Sequence, residues 1–237
     1  MAEAALQDGI KTIVATPHML NGVYRNTLET VRADVSALET ALAVKGLLLR
    51  LFMGGDVHVA PGMVDAVHSG EAVTVNDGRR YLLLELPSQS IPPGIKEEIF
   101  QLQIHGITPI LTHPERNPVI HHDLEGLRDM VAMGALVQVT AMSVTGDFGE
   151  VVEETSQKLL ERRLVHIIAS DAHSLKDRPP VLSRGVEAAA RILGGLDEAE
   201  RMVTAAPSAV LAGDPVEVPE PRPATSRSKW MKIRGRW

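Results

Sequence analysis

Apolar residues along this chain follow two alternating rhythms. Short aliphatic or β-branched runs lie near residues 12–16, 48–54, 81–85, 107–112, 136–140 and 165–170, each bounded by turn formers, and each predicts a strand. Between them, apolar positions recur every three or four residues. The longest such stretch, about 27–45, carries Leu28, Val31, Val35, Leu38 and Leu42 at helical spacing, with Gly46 as a stop. Further helices are predicted near 94–105, 123–133, 149–162, 184–193 and 197–204. Strands separated by helices read as βαβ units and therefore as a parallel α/β sheet. Residues 1–8 read as a helix ended by Gly9, so the chain opens one βα unit later than a parallel barrel would.

Several of the strand-like runs end abruptly in a group of metal-ligand type. Thr12–Pro17 runs into His18, Tyr81–Leu84 into Glu85, Pro109–Thr112 into His113, and Val165–Ser170 into Asp171 with His173 two residues on. Buried strands seldom stop this way unless their ends converge on one polar site, and in a parallel barrel the carboxyl ends of the strands form that site. The individual signals differ in weight. Glu85 directly follows three leucines and would be costly to bury without a cation or hydrogen-bonding partner. Asp171 and His173 pair a carboxylate with an imidazole, a set that suits Mn, Fe or Zn, although an N-cap aspartate beside a surface histidine fits the same residues. Asp56 follows Leu51-Phe52-Met53 through Gly54-Gly55, which permits either a close backbone approach or a simple turn. His18 alone reads equally well as a packed histidine. In His113-Pro114-Glu115-Arg116-Asn117 the imidazole suits a metal and the planar Arg116 fork suits phosphate oxygens, against a surface turn begun by proline. His58, His68, His105, His121, His122 and His166 read as solvated or packed.

Composition narrows the classes. A chain of 237 residues fits one domain, close to the roughly 250 of parallel barrels. The absence of cysteine excludes a disulfide framework, a thiolate nucleophile and Cys-based zinc, and fits a reducing compartment. A net charge of -6 argues against general nucleic-acid binding. No run approaches the roughly 20 apolar residues of a membrane span, and no signal-peptide pattern opens the chain, so a cytoplasmic protein is expected. After Gly213, prolines at 215, 219, 221 and 223 lead into a basic end. The expected organisation is a domain over 1–213 and a disordered tail over 214–237. In that tail Arg227, Lys229, Lys232, Arg234 and Arg236 with Trp230 and Trp237 offer contacts to an acidic partner or membrane surface, or simply a solvated end.

Taken together, the motifs resemble the PHP superfamily of metallophosphoesterases, and more narrowly the bacterial tyrosine phosphatases of capsular and exopolysaccharide operons. The matching blocks are 9–18 (GIKTIVATPH), 54–58 (GGDVH), 81–87 (YLLLELP), 109–117 (PILTHPERN), 138–149 (QVTAMSVTGDFG) and 169–174 (ASDAHS), in order over about 1–212. The resemblance implies a distorted (β/α)7 barrel, here lacking its first strand, with three metal ions, often manganese (Mn2+). It implies Asp56 bridging two metals, Asp171 on the first, Glu85 and His113 on the second, His18 and His173 on the third, and Arg116 and Arg178 holding the phosphate. It further implies a phosphotyrosine protein as substrate, specifically a bacterial tyrosine kinase. Such centres lower the pKa of water toward neutrality for in-line attack on phosphorus, and no cysteine is needed.

The chain departs from the family pattern in two places. A His-x-His strand and the following aspartate have no counterpart, and Asp56 stands where glutamate is more usual. A start assigned downstream of the true one, or a truncated and impaired form, is the expectation. The other functional classes open at this point are a small-molecule phosphomonoesterase of histidinol-phosphatase type and a non-catalytic binder of phosphorylated peptides.

Overall fold

The structure, a computed structural model, describes residues 1–222, so the expected contacts of Arg227 through Trp237 lie outside the described residues. Eight strands are present among the described residues: β1 (Thr12–Ala15), β2 (His18–Met19), β3 (Arg50–Met53), β4 (Asp56–His58), β5 (Tyr81–Glu85), β6 (Thr108–Thr112), β7 (Leu136–Thr140) and β8 (Ile167–Ala169). All pairings are parallel; β1 pairs with β3, and the larger sheet runs β2-β4-β5-β6-β7-β8. Pairing of β8 back to β1 or β2, which would close a barrel, is not among the described pairings.

The first four strands are two long ones, each bent in the middle. Gly54 N–H donates to Ala15 O at 2.9 Å and Asp56 N–H to Pro17 O at 3.0 Å, so the ladder continues across both bends. Pro17 bends the chain without breaking a ladder bond, because among the described residues this strand is paired on one side only. Gly55 matters sterically, since a Cβ there would run into the Met19 sulfur and lie 3.3 Å from Val73 O. The six predicted strand positions are all occupied, and two of them extend further than their apolar runs show.

The two faces of the sheet have different partners. Leu82, Leu84, Leu111, Val137, Val139 and Ile168 pack in the large core beneath the helices. Tyr81, Leu83, Ile110, Leu136 and Ile167 form a smaller apolar cluster on the opposite face. Side chains alternate along a strand, so Glu85 shares the face of Tyr81 and Leu83, and Thr112 that of Ile110. That face is apolar at the amino ends of the strands and polar at their carboxyl ends.

Helices Leu28–Val44, Ile95–Ile104, Leu124–Ala132, Glu150–Glu161, Ser183–Leu193 and Leu196–Arg201 stand where periodicity predicts them. The first is fixed by a capping box between Thr27 and Thr30. Helices Met63–Ser69, Pro118–His122, Ala141–Val144 and Ala205–Ala212 are additional; three are too short for a periodic signal, and the last is almost uniformly small and apolar. The chain does open with a helix, Ala2–Gln7. Asp8 after it caps a remote helix: its Oδ2 accepts from Leu182 N–H at 2.6 Å and Ser183 N–H at 3.1 Å. Residues 214–222 form neither helix nor strand. They are tied down by Tyr81 Oη donating to Asp214 O at 2.5 Å and Arg222 N–H donating to Arg162 O at 2.8 Å. Among the described residues no helix is long and apolar enough to cross a membrane.

Candidate metal centre

His18 on β2, Asp56 on β4 and Glu85 on β5 bring one ligand atom each within 4.8 Å of one another. His18 Nδ1 lies 3.2 Å from Glu85 Oε2 and 3.5 Å from Asp56 Oδ2. His113, just beyond β6, places Nε2 at 3.6 Å from both Asp56 Oδ2 and Glu85 Oε1. Two carboxylates are thus enclosed between two imidazoles. The Thr112 hydroxyl donates to Asp56 Oδ1 at 2.9 Å and so turns Oδ2 toward the histidines. Burial by itself pulls the His113 pKa down, but the hydrogen bond and negative charge of Asp56 outweigh it and raise the pKa above its ordinary value.

These donors fit a divalent cation. His18 Nδ1 is buried without a hydrogen-bond partner while facing two carboxylate oxygens. A buried nitrogen so placed is costly unless a proton or a cation stands between it and the oxygens. Nitrogen and oxygen donors without thiolate match Mn, Fe or Zn.

In the second half of the site two guanidiniums meet one carboxylate. Asp171 Oδ2 accepts from Arg116 Nη2 at 2.8 Å and also from Arg178 Nη2. Arg116 further donates to Thr140 Oγ1. Arg178 is presented by a tight loop in which His173 N–H donates to Arg178 O at 2.9 Å and Ser174 Oγ accepts from Asp177 N–H at 2.9 Å. His173 stands at the rim, its Nδ1 2.8 Å from Asp171 O and its ring centroid 6.3 Å from that of His18. His18, Glu85, His113, Arg116, Asp171 and Arg178 all line one cavity of about 230 Å3. A larger cleft of about 640 Å3, beside His166 and Arg163, lies at the amino end of β8 and contains none of these groups.

His113 (φ 36°) and Asp171 (φ 49°), one and two residues past their strands, both adopt left-handed backbone conformations. Non-glycine residues adopt this region at a cost, and such strain collects at functional sites.

All eight residues singled out in the sequence therefore lie in one neighbourhood. His18 is nearest to Glu85 and Asp56, and Asp171 holds the two arginines. Sequence reasoning also passed over several contributors. His58 Nδ1 lies 3.8 Å from Glu85 Oε2, and His58 follows Asp56 by two residues on the same strand, a period-2 signal that was available. Glu115 is fully buried, its Oε1 accepting from Thr140 N–H at 3.0 Å and Ser143 Oγ at 2.6 Å. Asn117 Nδ2 donates to Pro87 O at 2.8 Å and Ser90 O at 3.0 Å, which pins the loop beneath Glu85. The surface turn considered for 113–117 is instead part of the site wall. Of the other histidines, His166 is buried away from the site and accepts from Val137 N–H at 2.9 Å.

Carboxylates and imidazoles converging at the carboxyl ends of parallel strands, beside paired guanidiniums, are the makings of a metal-dependent phosphoesterase. The chain belongs to the capsular polysaccharide synthesis family CpsB/CapC, whose profile matches residues 1–212. It is 36% identical over 184 residues to CapC of Staphylococcus aureus, covering 78% of this chain and 72% of that protein. It is 35% identical over 178 residues to tyrosine-protein phosphatase YwqE of Bacillus subtilis, covering 75% of this chain and 70% of that one. A solved structure from work on YwqE and on CpsB of Streptococcus pneumoniae, described as unique metal-dependent tyrosine phosphatases, superimposes with a TM-score of 0.88 at 29% identity. That match covers 94% of this chain and 89% of the other.

Proposed function

We propose that this chain is a metal-dependent protein-tyrosine phosphatase that hydrolyses phosphotyrosine on a bacterial tyrosine kinase in the cytoplasm and so regulates capsular or exopolysaccharide synthesis. The observation that carries the reading is that His18, Glu85 and His113, clustered with Asp56, share one cavity with Arg116 and Arg178. The relatives named as tyrosine-protein phosphatases support the substrate class. Residues 1–213 form the catalytic unit and 214–237 an appended tail.

His18, Asp56, Glu85 and His113, with Asp171 and His173 beside them, hold divalent metal, for which manganese is the candidate. Bound there, the metal supplies Lewis acidity to phosphoryl oxygens and a nucleophile at neutral pH. Arg116 and Arg178 offer planar N–H forks to the remaining phosphoryl oxygens and neutralise charge that grows there in the transition state. Thr112 and Glu115 keep Asp56 and the Arg116 turn oriented while this happens. A phosphotyrosine ester departs as a phenolate, which needs less protonation than an alkoxide, so a strong general acid is not required. The exposed Tyr24 stacks on His18 with ring centroids 6.1 Å apart, an aromatic surface beside the cluster for a protein-borne phosphotyrosine.

The test is hydrolysis by the purified 237-residue chain of a phosphotyrosine peptide, p-nitrophenyl phosphate and histidinol phosphate, with manganese titrated in. Manganese-dependent turnover that favours the two aryl phosphates is expected. Preference for histidinol phosphate, or turnover indifferent to chelation, would remove the reading.

A further inference from the structure

Phe148 belongs to the 138–149 block, to which neither the sequence nor the metal centre assigns a role. Its ring centroid lies 4.4 Å from the Arg116 guanidinium carbon and 5.8 Å from that of Arg178. Both distances fall within the roughly 6 Å over which a cation is drawn to an aromatic face. We propose that Phe148 is a positioning residue of the phosphate pocket: its ring is the shared surface that holds the Arg116 and Arg178 guanidiniums together and aims both at one oxyanion. This rests on the reading that these two arginines receive the phosphate.

Two guanidiniums drawn into one small pocket repel each other, and something must offset that repulsion. Asp171 Oδ2 does so by accepting from both. Asp171 is also a candidate metal ligand, and charge donated to a metal is charge withdrawn from the arginines. The aromatic ring has no such second demand. It attracts a guanidinium through its face and occupies none of the N–H groups, so the forks stay available to phosphate oxygens.

The loop is built to hold the ring still. Gly146 (φ 81°) and Gly149 (φ 97°) flank it in backbone conformations that other residues rarely adopt. Gly149 N–H donates to Gly146 O at 2.9 Å, Asp147 N–H to Met142 O at 3.0 Å, and Thr145 Oγ1 to the Asp147 carboxylate. A Cβ on Gly146 would lie 2.6 Å from Glu153 Oε2. Ordinary packing does not explain the residue, because Phe148 is only half-buried and belongs to none of the described apolar clusters.

The experiment compares wild type, Phe148→Leu and Phe148→Tyr as full chains loaded with manganese. The readouts are Ki for inorganic phosphate, kcat and KM for p-nitrophenyl phosphate, metal content, melting temperature, and, with diamagnetic magnesium in place of manganese, the ring-current shifts of the Arg116 and Arg178 Nε–H signals. Phe148→Leu is expected to raise the phosphate Ki about tenfold, the value of two modest cation–π contacts, with KM rising more than kcat falls. Metal content and melting temperature stay at wild type, the ring-current shifts vanish, and Phe148→Tyr recovers the affinity. A Phe148→Leu chain with wild-type Ki overturns the inference, as does one whose lost affinity is matched by lost metal or early melting. The two readings fail separately. Normal turnover with an unchanged Ki sinks the role of Phe148 alone. Phosphate binding that depends on Phe148 in a chain without turnover sinks the phosphatase reading and leaves the role of Phe148 standing.

Discussion

His18 Nδ1 lies 3.2 Å from Glu85 Oε2, although the two residues stand on strands that flank β4 from opposite sides. Asp56, on the intervening strand, is in register with His18, so three adjacent strand ends deliver one imidazole and two carboxylates to a single point. Glu85 is the hub, because His113 and His58 approach it as well.

Removing that charge at constant size is therefore the most direct perturbation of the centre. In Glu85→Gln, manganese affinity measured by calorimetry is expected to fall about 100-fold, the upper end of what loss of a mere supporting residue costs. Hydrolysis of p-nitrophenyl phosphate should fall in parallel, while the far-UV circular dichroism is unchanged. In wild type, chelation should abolish hydrolysis and added manganese restore it. Full manganese affinity in Glu85→Gln would falsify the assignment of Glu85 as a ligand.

Thr112 separates orientation from coordination. Its hydroxyl donates to Asp56 Oδ1 at 2.9 Å, and Thr112 and Asp56 are 2% and 7% exposed. Valine matches threonine in shape but cannot donate, which frees the carboxylate to rotate. Thr112→Val is expected to weaken manganese binding by about 10- to 100-fold, as such supporting partners do, and Thr112→Ser to restore most of it. Equal affinities for all three chains would assign the bond a purely structural part.

Much of this site is legible in the sequence because the signal is local. Glu85 after Leu82-Leu83-Leu84 and His113 after Ile110-Leu111-Thr112 break an apolar run at the point where a parallel strand reaches its functional end. Pro17 and Gly54-Gly55 mislead for the same reason. They look like strand ends, yet the ladder bond from Gly54 N–H to Ala15 O carries the sheet past them and puts Asp56 and His58 inside a strand. What cannot be read locally is which ligands meet. The nearness of His18 to Glu85 and of Phe148 to Arg116 depends on strand order and loop placement, which periodicity does not encode. Glu115 is a related case: a glutamate in a proline-led turn reads as solvated, and only the tertiary fold supplies the Thr140 N–H and Ser143 hydroxyl that bury it.

Glu115 should accordingly behave as a stability residue that supports the Arg116 turn. Glu115→Ala would leave the Thr140 N–H and the Ser143 hydroxyl buried without an acceptor, at an expected cost of about 2–4 kcal/mol in urea unfolding. Glu115→Gln keeps an oxygen where Oε1 stands and should cost within about 1 kcal/mol. A small, equal loss in both variants would show that neither bond contributes appreciably.

The pH dependence of folding provides a probe remote from the metal centre. His166 is 4% exposed, its Nδ1 accepts from Val137 N–H, and burial pushes its pKa down from 6.5 to about 4. The unfolded chain thus binds a proton near 6.5 that the folded chain refuses until about pH 4, so stability falls as pH drops through that window. The gap corresponds to roughly 3 kcal/mol, fully present above pH 6.5 and lost by about pH 4. His113 acts in the opposite sense, since its raised pKa adds stability below 6.5 that fades as pH rises through the folded value. A matched variant cancels that contribution. His166→Asn keeps an acceptor for Val137 N–H but cannot be protonated, so its unfolding free energy should decline less between pH 7 and pH 4.5 than that of wild type. Chemical denaturation of both chains across this range measures the difference, and parallel pH profiles would show that His166 is not held neutral by the fold.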